Sequence, residues 1–242
     1  MLTTSAPHGS APRRPPIGLL PALRHDAPEG RIAPPGTRES GPLGQQMVLM
    51  GAAMSFARNT EIFGENEPAD YLYKVISGAV RTYKILSDGR RQIGEFYLPG
   101  DIFGLEFAAH HTLAAEAIVN AKILVTKRSA LVALAERDFG TARDLYALTA
   151  RELQRAQARI MLLVKSAQER VASFLLGMAE RAAAGNAIEL PMSRQDIADY
   201  LGLTIETVSR TLTSLESAAT IEVPTSRRIV LRNRDALCRL NG

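Results

Sequence analysis

The chain has 242 residues, 46% hydrophobic and 22% charged, with a formal net charge of +4 and one cysteine. That length suits two folded units of about 100–200 residues each. One cysteine excludes an intrachain disulfide, structural zinc on several thiolates and a four-cysteine iron–sulfur site within one chain, and no run approaches the roughly 18 apolar residues of a membrane span.

The first 42 residues hold nine of the thirteen prolines among Gly, Ser, Ala and Arg, too few apolar groups to offset the entropy of ordering. Residues 1–45 are therefore read as a disordered arm and a solvated tail. Its Arg13, Arg14, Arg24, Arg31 and Arg38 leave open the alternative of brushing a nucleic-acid backbone. The best candidate for a secretory h-region, "IGLLPAL" at 17–23, is short and interrupted by Pro21, so the expected compartment is the cytoplasm.

From about 46 to 138 short apolar runs alternate with turn residues. "YLYKVIS", "AVRTYKIL", "RQIGEFYL" and "KILVTKR" have strand lengths and β-formers, and "SG" (77–78), "SDGR" (87–90) and "LPGD" (98–101) place Gly or Pro at the turns. Many short strands at this spacing predict an antiparallel sandwich or barrel. "RSALVALAERDF" then reads as a short helix.

Residues 139–165 read as one long helix, with no Gly or Pro beyond Gly140. Tyr146, Leu153 and Ile160 recur every seven residues, and Ala142, Thr149, Ala156 and Leu163 complete the stripe. This is the pattern for packing a helix against a parallel copy of itself. The alternative is that the same face covers the β-domain of its own chain.

Residues 166–242 form the second unit: a helix over 167–184, two helices within "SRQDIADYLGLTIETVSRTLTSLESA", and "TIEVPTSRRIVLRN" as a two-stranded ribbon. Ser193 is the expected N-cap with Asp196 three residues on. Ile197, Ala198 and Leu201 face inward, Gly202 turns the chain and Thr204 caps the next helix, which buries Val208, Leu212 and Leu215. Glu206, Ser209, Arg210 and Thr213 are left on the outer face. This is a helix-turn-helix pattern, whose second helix enters the major groove of double-stranded DNA.

The residue types suit that task. Arg210 can donate a bidentate pair to guanine, and Glu206 can accept from cytosine N4; the competing reading is an ordinary surface salt bridge between them. Glu206, Ser209 and Arg210 are thus the candidate base-reading residues, and Thr204, Thr207, Arg227 and Arg228 the candidate backbone contacts. The unit carries nine Arg and nine Asp plus Glu, so binding would rest on a local basic face rather than on net charge. Cys238 is read as an ordinary thiol, a redox switch being the alternative.

On these residues the chain resembles the Crp/Fnr superfamily of bacterial transcription regulators over nearly all of 46–240. "DYLYKVISGAVRTYKILSDGRRQIGEFYLPGDIFGLE" is similar to that family's effector domain and "SRQDIADYLGLTIETVSRTL" to its winged helix-turn-helix. The resemblance implies an α+β fold: a cyclic-nucleotide-binding-like β jelly roll, a long dimerisation helix and a winged helix-turn-helix. Glu206, Ser209 and Arg210 fall on the E-x-x-S-R pattern of the Fnr and FixK branch, which implies a homodimeric activator at TTGAT-type half-sites in partnership with RNA polymerase. The cyclic-AMP receptor branch has Arg in place of Ile205 and Gly in place of Ser209.

Two departures bear on sensing. Where nucleotide-binding members hold phosphate with Arg-Ser and ribose with Glu, this chain is read as having Ala115-Glu116 and Leu105, with Glu106 one position off. A phosphate would then meet a carboxylate. The N-terminus also lacks the cysteine cluster of oxygen-sensing Fnr proteins. The reading is a FixK-like regulator with no cofactor and no need of cyclic AMP. Cys238 lies too far from the recognition helix to inherit the oxidisable cysteine of some FixK-type proteins. The alternatives are an effector-gated member sensing haem-bound gas or another small ligand, and a cupin-like metal enzyme using His110, His111, Glu106 and Glu116. Against the enzyme, adjacent strand histidines point to opposite faces and are read as exposed loop residues.

Overall fold

The computed structural model describes residues 41–106, 108–181 and 185–241. The arm expected over 1–45 lies outside them up to residue 40. The next residues correct its boundary, because Pro42–Met50 form helix α1. Pro42 occupies the first helical turn, where a missing amide proton costs nothing, and the Leu43 amide donates to Asp144 at 3.0 Å. Leu43 and Met47 are buried one turn apart.

The first domain continues with β1 (Ala52–Phe56), β2 (Glu61–Phe63), β3 (Tyr71–Ser77), β4 (Val80–Ile85), β5 (Arg91–Tyr97), β6 (Ile102–Phe103), β7 (Ala114–Ala117) and β8 (Ala121–Lys127). They form two four-stranded sheets, ordered β1-β8-β3-β6 and β2-β7-β4-β5, with antiparallel pairing throughout. This is the expected two-layer β architecture. Between the sheets lie Phe63, Tyr73, Val75, Val80, Tyr97 and Phe103 among other apolar groups. Their rings touch at centroid separations of 5.1 Å for Phe63–Tyr73 and Tyr73–Phe103 and 5.0 Å for Tyr97–Phe103.

Helix α2 (Arg128–Ala135) leads to α3 (Phe139–Leu162), where the Asp138 carboxylate caps the start by accepting from the Thr141 amide at 2.8 Å. Thr141 and Leu148 are buried, and Leu145, Glu152, Arg155, Arg159 and Leu162 half-buried, so this face packs on its own chain. Tyr146, Thr149, Leu153, Ala156 and Ile160 lie on the other face and are exposed. The alternative that their stripe covers the β-domain is therefore corrected. The helix also ends earlier than expected, leaving Leu163 in the turn just past it.

The second domain comprises α4 (Ala167–Arg181), β9 (Ala187–Glu189), α5 (Arg194–Leu201), α6 (Ile205–Ser217), β10 (Ile221–Thr225), β11 (Arg228–Leu231) and α7 (Arg234–Asn241). The expected two-stranded ribbon is a three-stranded sheet ordered β10-β11-β9. Helix α7, absent from the sequence reading, buries Leu237. Its end is tied back by Lys165, which donates to the Asn241 side-chain oxygen at 2.7 Å.

The two domains share one core. Ile93, Phe96 and Ile118 of the jelly roll pack in the same cluster as Phe174, Ile197 and Ala198. Phe96 meets the Tyr200 ring at 5.2 Å, and Arg181 donates to Asp101 and to the Phe96 carbonyl, each at 2.6 Å.

Tight turns between strands set how closely the sheets can approach. Gly78 has φ +84°, and a Cβ there would meet the Asn120 carbonyl oxygen and, at 2.6 Å, the Ala121 Cα. Gly78→Ala should destabilise the protein by about 1–3 kcal/mol from backbone conformation alone, with the clash added. The check is urea unfolding: a lower midpoint with an unchanged slope.

Candidate nucleic-acid interface

The interface is built on two short helices and the turn between them. Ser193 accepts from the Asp196 amide at 3.1 Å, and the Asp196 carboxylate accepts from the Ser193 amide at 2.9 Å. This reciprocal box satisfies donors that the first turn of α5 would otherwise leave open. Gly202 then adopts φ +64°, a left-handed conformation that costs glycine no steric penalty. Thr204 starts α6, its hydroxyl accepting from the Thr207 amide at 3.2 Å.

Val208, Leu212 and Leu215 are buried, which turns the opposite face of α6 outward. Glu206, Arg210 and Thr213 are exposed, and Ser209 is half-buried. The Glu206 carboxyl is held below its ordinary range by its own backbone amide, then by the Thr204 hydroxyl and the charge of Arg210. It is thus ionised and purely an acceptor near neutral pH. Among the described residues no ion pair joins Glu206 to Arg210. The geometry thus gives no direct salt bridge between them, and the Arg210 guanidinium is exposed while the Glu206 carboxylate sits on the local cap.

The wing is more selective than the sequence suggested. Arg228 is exposed, with Glu189 at 3.6 Å. Arg227 turns back, its guanidinium donating to the Pro191 carbonyl at 2.5 Å, and is half-buried. Arg232 pairs with Glu222, and Arg234 reaches Glu180 at 3.9 Å. Much of the apparent basic cluster is therefore neutralised internally. The Thr207 hydroxyl lies 3.0 Å from that of Thr204, so these two candidate backbone contacts form part of the cap.

In the jelly roll the strand alternation corrects one reading. Ala115 faces between the sheets, whereas Glu116 faces out and accepts from Arg81 at 2.9 Å. It does not line the interior and would not confront a phosphate there. Beside the aromatic interior lies a cavity of about 100 Å³, lined by Phe63, Thr82, Tyr97, Phe103, Leu105 and Glu106 among others.

The two histidines also differ from expectation. His110 is exposed, but His111 is buried and stacks on Phe63 at 3.6 Å. Burial lowers its pKa and favours the neutral ring. With Glu116 turned outward to Arg81, the four residues of the metal-enzyme reading do not converge on one point. No helix among the described residues is long and apolar enough to cross a membrane.

Residues 169–240 match the family described as Crp-like helix-turn-helix domain, and residues 53–138 the cyclic nucleotide-binding domain. The nitrogen fixation regulation protein FixK of Azorhizobium caulinodans is 51% identical over 84% of this chain and 85% of its own length. The transcriptional activatory protein AadR of Rhodopseudomonas palustris is 42% identical over 73% and 77%. Among solved structures, FixK2 from Bradyrhizobium japonicum superposes with a TM-score of 0.77 at 52% identity, covering 80% of this chain and 98% of that one.

The cap couples the start of α6 to the charge of its first acid. Thr204→Ala should cost about 1 kcal/mol of stability and raise the Glu206 titration midpoint toward the ordinary value of about 4.3. Carboxyl-carbon NMR against pH measures the second effect. Because the folded pKa is depressed, the stabilising contribution of Glu206 is present above its unfolded pKa and is lost as pH falls through the folded one.

Proposed function

The chain belongs to the Crp/Fnr superfamily of DNA-binding transcription regulators, in its FixK-like branch, and we propose that it acts as a homodimeric activator at TTGAT-type inverted repeats without cyclic AMP. The observation that carries the base-reading part is the outer face of α6. It presents an ionised acceptor, Glu206, one turn from an unpaired fork of donors, Arg210, with Ser209 between them on a helix whose other face is buried.

In this reading Arg210 donates to O6 and N7 of the guanine, and Glu206 accepts from the N4 amine of a cytosine on the opposite strand. Ser209 sets the preference for T in the outer part of the half-site. Phosphate contacts fix the docking, from Thr204 and Thr207 at the helix start and from the wing. Arg228 is the stronger wing candidate, since Arg227 already serves the Pro191 carbonyl.

Two half-sites require two helices about one turn of DNA, roughly 34 Å, apart. The exposed Tyr146, Thr149, Leu153, Ala156 and Ile160 stripe, with Leu163 beyond the helix end, supports α3 as the seam between copies. Independence from cyclic AMP draws support from the jelly-roll interior. A cavity of about 100 Å³ among aromatic rings falls short of the roughly 300 Å³ and more of small-molecule pockets. The activator role follows the naming of the relatives and implies contact with RNA polymerase in the cytoplasm. On this reading the protein catalyses nothing.

Arg210→Ala should cost about 1–3 kcal/mol per half-site and flatten discrimination at the guanine. The sharper form of the experiment grafts Ile205→Arg with Ser209→Gly and selects from randomised half-sites in the absence of cyclic AMP. Preference should move from TTGAT toward TGTGA; an unchanged motif would remove α6 from its assigned role. For the seam, Leu153→Glu with Ile160→Glu should give a monomer by sedimentation and abolish operator binding, whereas a double variant that stays dimeric would place the interface elsewhere.

A further inference from the structure

The jelly roll grips the helix-turn-helix through one carboxylate used in two directions. Asp196 Oδ2 is occupied in the N-terminal box of α5, accepting from the Ser193 amide at 2.9 Å and hydroxyl at 2.8 Å. Its Oδ1 points the other way and accepts from Arg81 of β4 and Arg91 of β5, each at 2.7 Å. One turn on, Asp199 accepts from Arg91 Nε at 2.8 Å, and its backbone carbonyl from the Gln92 amide at 2.7 Å. Glu116 braces Arg81 from the neighbouring strand. Asp196 is 5% exposed and Arg81 8%, so water competes little for these bonds and their directions are enforced.

This clasp holds α5, not the helix that faces DNA. The two are rigidly joined, however, because Ala198 and Leu201 of α5 share a core with Val208 and Leu212 of α6. The covalent route from the dimer seam to α6 runs through the non-helical residues 163–166 between α3 and α4, whose backbone torsions do not by themselves fix the angle between the domains. We propose that Asp196 and Asp199, clasped by Arg81, Arg91 and Gln92, are positioning residues for DNA recognition: they hold α6 at a fixed angle to the jelly roll and so fix the distance between the two recognition helices of a dimer. The proposal rests on the reading of a dimer at inverted repeats.

The consequence is a preference for one spacer length. Each added base pair shifts a half-site by about 3.4 Å and turns it by roughly 34°. A tied helix resists following that displacement, and a released one follows it. The experiment measures affinity of the full-length protein for inverted TTGAT repeats separated by three, four, five or six base pairs. The wild type should favour one spacer strongly. Arg91→Ala and Asp199→Asn should each reduce the ratio between the favoured and the next spacer by about tenfold or more, the loss expected from one charge-assisted bond. Their combination should do little more than either alone, and Arg91→Lys should retain most of the ratio. A variant that merely unfolds in part lowers binding to every spacer alike and leaves the ratio intact. Wild-type ratios in both single variants would overturn the positioning role. A wild type with no spacer preference would overturn it as well, whereas a wild type that binds a lone half-site as tightly as the repeat would overturn the inverted-repeat reading beneath it.

Discussion

The Asp196 carboxylate is the constraint on which the arrangement of the two domains depends. A buried charge is tolerated only when its lone pairs are satisfied, and here they are satisfied by both domains at once. One oxygen belongs to the local helix start and the other to the jelly roll. The cluster holds two guanidinium groups against three carboxylates, and the positive end of α5 offsets the excess negative charge. Removing one partner from such a set costs about 3–5 kcal/mol, mostly because another charge is left buried alone.

The rest of the domain contact follows from this anchoring. With α5 held, Tyr200 comes against Phe96 and beneath Arg159, whose guanidinium carbon lies 5.6 Å from the ring centre. Burial and the nearby Glu95 charge push the Tyr200 hydroxyl up to about 12. At the far end of α4, Arg181 closes the contact on Asp101. A single apolar cluster then runs from the strands into the helix-turn-helix, with ionic ties at both of its edges.

Helix α3 divides its faces between two obligations. The side bearing Leu148, Arg155 and Arg159 serves its own chain, with Arg155 bonded to Asp101 at 3.1 Å. The side bearing Tyr146, Leu153 and Ile160 is exposed, with no partner among the described residues of the chain. Sequence periodicity identified the second stripe but not its direction. Both stripes recur at helical spacing, and the inward one is half polar because its cations meet acids of distant strands.

Local sequence determined the parts whose cause is local. The alternation of "YLYKVIS", the glycine turns at 78, 89 and 100, the Ser193–Asp196 box and the left-handed Gly202 each rest on a backbone preference or a contact within four residues. The outward face of α6 was legible for the same reason, since Val208, Leu212 and Leu215 leave it no other orientation. Helices α1 and α7 and strand β9 were missed because each is short and gains its stability from contacts far along the chain, such as Asp144 to Leu43 and Lys165 to Asn241. Tertiary structure alone decided that Glu116 turns outward to Arg81, that Arg227 turns back to Pro191, that His111 is buried, and that Asp196 caps one domain while binding the other. Charge pairing between residues about a hundred positions apart leaves no periodic mark on a sequence; it is settled only when packing brings the strands and α5 together and excludes the water that would otherwise solvate each charge.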